Sequence, residues 1–261
     1  MKRTLRSYSW PLVAVTLLLC LTAPVFADTQ FAITSTTGSL WGEYTSPYGT
    51  NNAAVGSVIC DDFVDTTYIG QNYHYNQVSA NSLIQNGGGG VWGGNIYGNA
   101  QTLYAAAAYL ALQIFSTTNL TTQQYENWAI WALFDPTDAV AAMNSGGVTS
   151  AGCDAIFGSN AYNNGSCHAV PLGSGGLITT AISVGLGDYN NGLFDNLVVY
   201  LPQTNLGQNW CGQAGSCASQ EFFGQQVPDG GSAMLYLVLA GFSCFGAIFL
   251  TRNRTTHVGL S

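Results

Sequence analysis

The 261-residue chain carries 13 acidic and five basic residues, and charged residues make up only 7% of it. No Lys or Arg occurs between residues 28 and 251, because the basic residues all lie near the two ends: Lys2, Arg3, Arg6, Arg252 and Arg254. A purely anionic central region argues against nucleic acid as a partner, because phosphate contacts need cations, and ion pairs cannot stabilise it.

The N-terminus has the pattern of a secretory signal peptide. The basic residues are followed by the apolar segment 11–21 and then by Val25, Phe26 and Ala27. This segment is short for a membrane span, so the pattern predicts export by the Sec machinery and cleavage by signal peptidase after Ala27. We therefore expect residues 1–27 to be a signal peptide, with an uncleaved anchor helix as the alternative.

Residues 28–226 are expected to form one extracytoplasmic domain. Short apolar or β-branched runs at 31–34 and 54–59 predict strands, and the Gly-rich segment 86–94 predicts a loop. The apolar spacing at 100–115 then predicts a helix.

A second helix is predicted to begin at a capping box of Thr121 and Gln124 and to end at Asp135, before Pro136. A short helix is expected at 137–144. Two later runs, 177–184 and 193–201, predict strands. The fold class expected for the domain is α+β, a mostly antiparallel β-sheet with an inserted pair of helices.

Cysteine spacing indicates disulfides, which an exported protein can keep. Apart from Cys20 and Cys244, which lie in the two apolar end segments, the chain has five cysteines: Cys60, Cys153, Cys167, Cys211 and Cys217. The simplest local pairs are Cys153–Cys167 and Cys211–Cys217, although spacing does not fix connectivity. Cys60 would then be a buried thiol or form an intermolecular bridge.

The C-terminal tail has three parts in a fixed order. Residues 233–250 are eighteen uncharged, largely apolar residues, about 27 Å as a helix, and two arginines follow. This predicts one transmembrane helix with a cytoplasmic basic end. A short motif precedes it: Val227, Pro228, Asp229, Gly230 and Gly231.

This tail, 227–254, resembles the PEP-CTERM sorting signals that exosortases recognise, in a VPDGG variant in which Asp229 replaces the consensus Glu. The resemblance implies processing near Pro228 by an exosortase-type enzyme, in bacteria that make exopolysaccharide. The protein would be anchored by its C-terminal helix and then transferred to the cell surface or released. A plain single-span anchor is the alternative.

Motifs within the domain carry a second resemblance. Residues 58–63 read VICDDF, residues 125–134 read YENWAIWALF, and residues 219–222 read SQEF. This layout is similar to a group of PEP-CTERM proteins and, distantly, to the thioester domains of Gram-positive surface adhesins. In those adhesins a Cys and a Gln side chain form an internal thioester that a nucleophile can open to leave a covalent attachment.

Carried onto this chain, the thioester Cys falls on Cys60 and the Gln falls on Asn127. Asn is one methylene shorter, so we expect the fold to be shared and the bond to be absent. Gln123 or Gln124 could replace Asn127 only if the helix register shifted.

Other side chains give no catalytic set. Asp61, Asp62 and Asp65 could supply a general acid and base, but a cluster beside a strand is the expectation, and we expect no cofactor and no metal site. We therefore expect a non-enzymatic, surface-sorted structural or adhesive protein associated with exopolysaccharide or biofilm. The alternatives are a glycan-binding module, which needs exposed Trp and Tyr residues on one face, and a secreted hydrolase, which needs Asp61 or Asp62 in a cleft.

Overall fold

The computed structural model describes residues 28–61, 69–87, 92–173, 175–203 and 220–226. It combines helices with antiparallel sheet, as expected. The strands are β1 (Asp28–Ser35), β2 (Gly38–Leu40), β3 (Glu43–Thr45), β4 (Tyr48–Thr50), β5 (Ser57–Cys60), β6 (Asn72–Ser79), β7 (Tyr162–Asn163), β8 (Ser166–Cys167), β9 (Leu197–Pro202) and β10 (Phe222–Gln225). The helices are α1 (Ala80–Gln85), α2 (Ala100–Ser116), α3 (Leu120–Phe134), α4 (Pro136–Ser145), α5 (Ser150–Phe157) and α6 (Gly176–Asn190).

Six strands close into an antiparallel barrel in the order β1-β4-β5-β10-β9-β6. Aromatic rings from four of these strands contact one another: Phe31 stacks on Tyr75 at 4.4 Å between ring centroids and meets Tyr200 and Phe222 edge-on at 5.2 and 5.8 Å. All four side chains are buried, so these rings form the core of the barrel. Closure pairs both sides of every barrel strand and leaves no exposed sheet edge among them.

The helices are more extensive than the predicted pair. Among the described residues, helices hold more of the chain than strands do, which corrects the expectation of a mostly β domain. The predicted helix at 100–115 is confirmed as α2, and the short one at 137–144 as α4. The short helices α1 and α5 were not predicted; their sequences are too short to show a helical period.

Helix α3 begins earlier than the predicted capping box. Its N-cap is Asn119, whose side chain accepts a hydrogen bond from the backbone N–H of Thr122. Thr121 and Gln124 therefore lie inside the helix. The predicted end is confirmed: Asp135 caps α3 and also accepts from Asp138 N–H at the start of α4.

The run at 177–184 is helical, not a strand as predicted. It belongs to α6, whose buried positions Ile178, Ala181 and Gly185 follow a three-four spacing. This face packs on α2, where Ala105 to Ala108 are fully buried. The β-branched residues that suggested a strand are overruled by this helix–helix contact. The run at 193–201 is a strand only from Leu197, because a turn occupies residues 191–196.

The β2–β3 hairpin lies against α3. Trp41, at its turn, stacks on Tyr125 at 5.8 Å and meets Trp128 at 5.2 Å. The side-chain Nε2 of Gln124 donates to the carbonyl of Ser39. These contacts place α3 between the hairpin and the end of the barrel.

Candidate functional site

The side chain of Asn127 links α3 to two segments of the barrel. Its Nδ2 donates to the backbone carbonyl of Cys60 at 3.0 Å, and its Oδ1 accepts from the backbone N–H of Ser46 at 2.7 Å. Ser46 lies between β3 and β4, and Cys60 is the last residue of β5. We call these hydrogen bonds the Asn127 brace.

Two further hydrogen bonds complete the brace. The indole Nε1 of Trp131, one turn along α3 from Asn127, donates to the same Cys60 carbonyl at 3.1 Å. The backbone N–H of Cys60 donates to the hydroxyl of Ser46 at 3.1 Å. The Ser46 hydroxyl thus gives the Cys60 N–H an acceptor just beyond the last paired residues of β4 and β5, Tyr48 and Val58. The brace thus satisfies the polar backbone groups of two buried chain segments.

Water has almost no access to the brace. Asn127 and Ser46 are fully buried, and Cys60 and Trp131 are 1% and 3% exposed. Burial raises the pKa of neighbouring Tyr48 well above its usual range, and its interactions with the ionisable groups of Cys60 and Glu43 raise this pKa further. Its hydroxyl donates to the carbonyl of Tyr44.

The brace gives Asn127 a hydrogen-bonding role. Its amide nitrogen and its oxygen both engage backbone groups, and Cys60 is a buried thiol. Gln123 and Gln124, the alternative acyl donors, are directed elsewhere: Gln123 Nε2 donates to the carbonyls of Ile114 and Thr117, and Gln124 contacts the hairpin. Asn127 and Cys60 are 0% and 1% exposed, so neither side chain is presented to solvent.

Asp61 lies next to the brace but not in an open cleft. It is fully buried, as is Glu221, and its backbone N–H donates to the Glu221 carbonyl at 3.4 Å. Asp62 and Asp65 lie outside the described residues. The burial of Asp61 removes it as a solvent-facing general acid or base.

The tryptophans of α3 belong to the core. Trp128 is fully buried, Trp131 is nearly so, and their rings meet edge-on at 5.0 Å. Tyr44 is 61% exposed, on the hairpin. The described residues therefore present no row of exposed tryptophans for a sugar to stack on.

A disulfide joins Cys153 of α5 to Cys167 of β8, with the Cα atoms 5.6 Å apart. Asn144 of α4 holds the same strand: its Nδ2 donates to the Cys167 carbonyl, and its Oδ1 accepts from the Cys167 N–H. The bond closes a loop of sequence separation 14, worth about 3 kcal/mol by chain entropy. The other predicted pair, Cys211 and Cys217, lies outside the described residues.

Both predicted end segments also lie outside the described residues. They are the signal peptide, 1–27, and the sorting tail, 227–254, with its VPDGG motif and the apolar segment 233–250. Within the described ranges, no helix is both long and apolar enough to cross a membrane.

Sequence reasoning found some of these residues and missed others. The resemblance pointed to Cys60, Asn127 and Glu221 within their motifs. It did not identify Ser46, which lies 81 positions from Asn127. The only sequence signal there is the Ser-Pro step that breaks the strand.

Glu126, beside Asn127 on α3, makes stability depend on pH. It is 6% exposed, its Oε2 has no hydrogen-bond partner among the described residues, and burial raises its pKa from 4.5 to about 7. Between about pH 4.5 and about pH 7, Glu126 therefore keeps its proton in the folded chain but has released it in the unfolded chain. The contribution of Glu126 to stability is therefore greatest at or below about pH 4.5, and about 3 kcal/mol of it is lost as pH rises to about 7.

We expect Glu126→Gln to remove this fall. Urea unfolding across the pH range should show that the variant is more stable than the native sequence above about pH 7 and similar to it near pH 4.5. The control is Glu43→Gln, which changes an exposed glutamate. Equal pH profiles for Glu126→Gln and the native sequence would contradict the assignment.

Comparison with protein-family models, with curated proteins and with solved structures finds no match to this chain.

Proposed function

We propose that the chain is an exported, non-enzymatic cell-surface protein with a structural or adhesive role in an exopolysaccharide or biofilm setting. The observation that carries this proposal is the distribution of charge. All cations lie at the two ends, and every acidic residue lies between them. That distribution fits a basic signal-peptide start and a basic cytoplasmic stop around a segment that crosses the membrane.

The disulfide supports export. Cys153 and Cys167 are both fully buried, so their bond belongs to the core rather than to an exposed, exchangeable site. Disulfides persist in oxidising compartments and are rare in the cytosol. Because the segment between residues 28 and 251 has no Lys or Arg, such a crosslink supplies stability that Lys and Arg ion pairs cannot.

The brace supports a non-enzymatic role. Cys60 and Asn127, the positions that would carry acyl chemistry in a thioester domain, are buried and serve the packing of α3 on the barrel. We infer that this domain keeps a thioester-like arrangement as a scaffold. Its surface contacts with exopolysaccharide would then be non-covalent.

Sorting is proposed to proceed in two steps. Signal peptidase removes residues 1–27, and the helix at 233–250 holds the domain at the membrane. An exosortase-type enzyme then processes the tail near Pro228, which transfers the protein to the surface or releases it.

The test is expression of the full chain in a bacterium with an exosortase, beside the same strain without it. We expect a mature N-terminus at Asp28 in both strains, and loss of the C-terminal segment only where the exosortase is present. Pro228→Ala should retain the protein at the membrane, whereas Pro171→Ala, a proline within the domain, should be processed normally. Full-length chain in the cytosol of both strains would overturn the proposal.

A further inference from the structure

Asp61 and Glu221 form a pair of carboxyl groups at the β5–β10 junction. The register pairs Cys60 with Phe222, so the next two residues, Asp61 and Glu221, lie opposite each other. The hydrogen bond from Asp61 N–H to the Glu221 carbonyl continues this ladder. Residues directly opposite on antiparallel strands have Cβ atoms about 5 Å apart on the same face. We call these two residues the carboxyl pair.

The carboxyl pair faces α2, on the side of the sheet opposite to Cys60 and Phe222, because side chains alternate along a strand. The hydroxyl of Tyr104, on α2, donates to Glu221 Oε2 at 3.2 Å and accepts from the backbone N–H of Trp92 at 3.2 Å. Burial raises the pKa of Tyr104 far above its usual range, and both Glu221 and Asp61 add to the effect. Tyr104 is thus the titratable group of α2 that faces the pair, and it is neutral.

Two negative charges at this position would be costly. Both residues are fully buried, and like charges at such a distance repel strongly where water is excluded. The sequence has no Lys or Arg between residues 28 and 251 to offset them. In other proteins, two carboxyl groups that share a site keep one proton between them.

We propose that Asp61 and Glu221 share one proton in the folded chain, and that loss of this proton loosens the contact of β10 with β5 that closes the barrel. The carboxyl pair would make the domain sensitive to alkaline conditions outside the cell. β10 is four residues long; Glu221 lies immediately before its first residue, and Asp61 lies immediately after the last residue of β5. A second negative charge there would act beside the first of the three residue pairs that join β10 to β5.

The test uses Glu126→Gln as the parent, so that the titration of Glu126 does not obscure that of the carboxyl pair. Urea unfolding of this parent is compared with that of the same chain carrying Glu221→Gln, from about pH 5 to about pH 9. We expect the added substitution to lower the unfolding equilibrium constant at least tenfold near pH 9 and to change it little near pH 5. Equal ratios at both pH values would overturn the proposal.

A second measurement does not depend on the variant's stability. The infrared C=O stretch of a protonated carboxyl should be present in the folded parent at about pH 8, which is above the pKa of an ordinary carboxyl. It should be absent from the double variant, which is the parent with both Asp61→Asn and Glu221→Gln added. Absence of the band from the parent would overturn the proposal. Evidence that a cation takes the place of the proton would also overturn the proposal. That evidence would be stabilisation of the parent by added Ca²⁺ that a chelator reverses and that the double variant does not show.

Discussion

Gly185→Ala is expected to destabilise the chain by about 3 kcal/mol, because α6 has no room for a side chain where it crosses α2. A Cβ at Gly185 would lie 2.6 Å from the carbonyl oxygen of Ala105 and 2.7 Å from its carbonyl carbon. Both are backbone atoms of Ala105, which is fully buried in α2, so they cannot move aside as a flexible side chain would. The measurement is urea unfolding of the purified domain.

Gly187 provides the control within the same helix. A Cβ there meets nothing within 4 Å, so Gly187→Ala should stabilise α6 by about 0.5–1 kcal/mol through helix propensity alone. The two substitutions are chemically identical and should have opposite signs. If Gly185→Ala were also stabilising, the close crossing of α2 and α6 would be wrong.

Asn127→Leu is expected to cost about 3 kcal/mol, because it removes both hydrogen bonds of the Asn127 side chain and leaves the buried Ser46 N–H without its acceptor. Leucine is similar in size, so the loss reports the polar contacts rather than a cavity. The Cys60 carbonyl would keep the hydrogen bond from Trp131. Thermal and urea unfolding measure the change.

Thr122→Leu is the matched control for the brace. Thr122 lies on the exposed side of the same helix, and leucine has the higher helix propensity. This substitution should therefore leave stability unchanged or slightly raised. A similar small effect from Asn127→Leu would show that the brace contributes no more than a surface contact.

The sequence predicted those elements whose pattern is local. Helix α2 has an Ala run with apolar residues at helical spacing, and α3 ends where Asp135 and Pro136 require it to end. Helix α6 was missed because its residues 177–184 include several β-branched side chains. Only the Ala-rich face of α2, about eighty positions earlier, shows that Gly185 lies at a close helix crossing.

The site depended even more on distant parts of the chain. The resemblance identified Cys60 and Asn127, but the brace also needs Ser46, and nothing in its local sequence indicates an acceptor on α3. Asp61 and Glu221 become neighbours only through the register of β5 and β10, which are joined by a long connection. Such contacts follow from the topology of the barrel, which no short segment encodes.

The most direct test of the whole account is the intact mass of the native protein recovered from the cell surface or medium. We predict a chain that starts at Asp28, has lost two hydrogen atoms for each disulfide, and retains the side-chain amide of Asn127. A mass lower by one ammonia, restored by a nucleophile that attaches at Asn127, would instead show an internal thioester with Cys60. A chain that still carries residues 1–27 would contradict export by the proposed route.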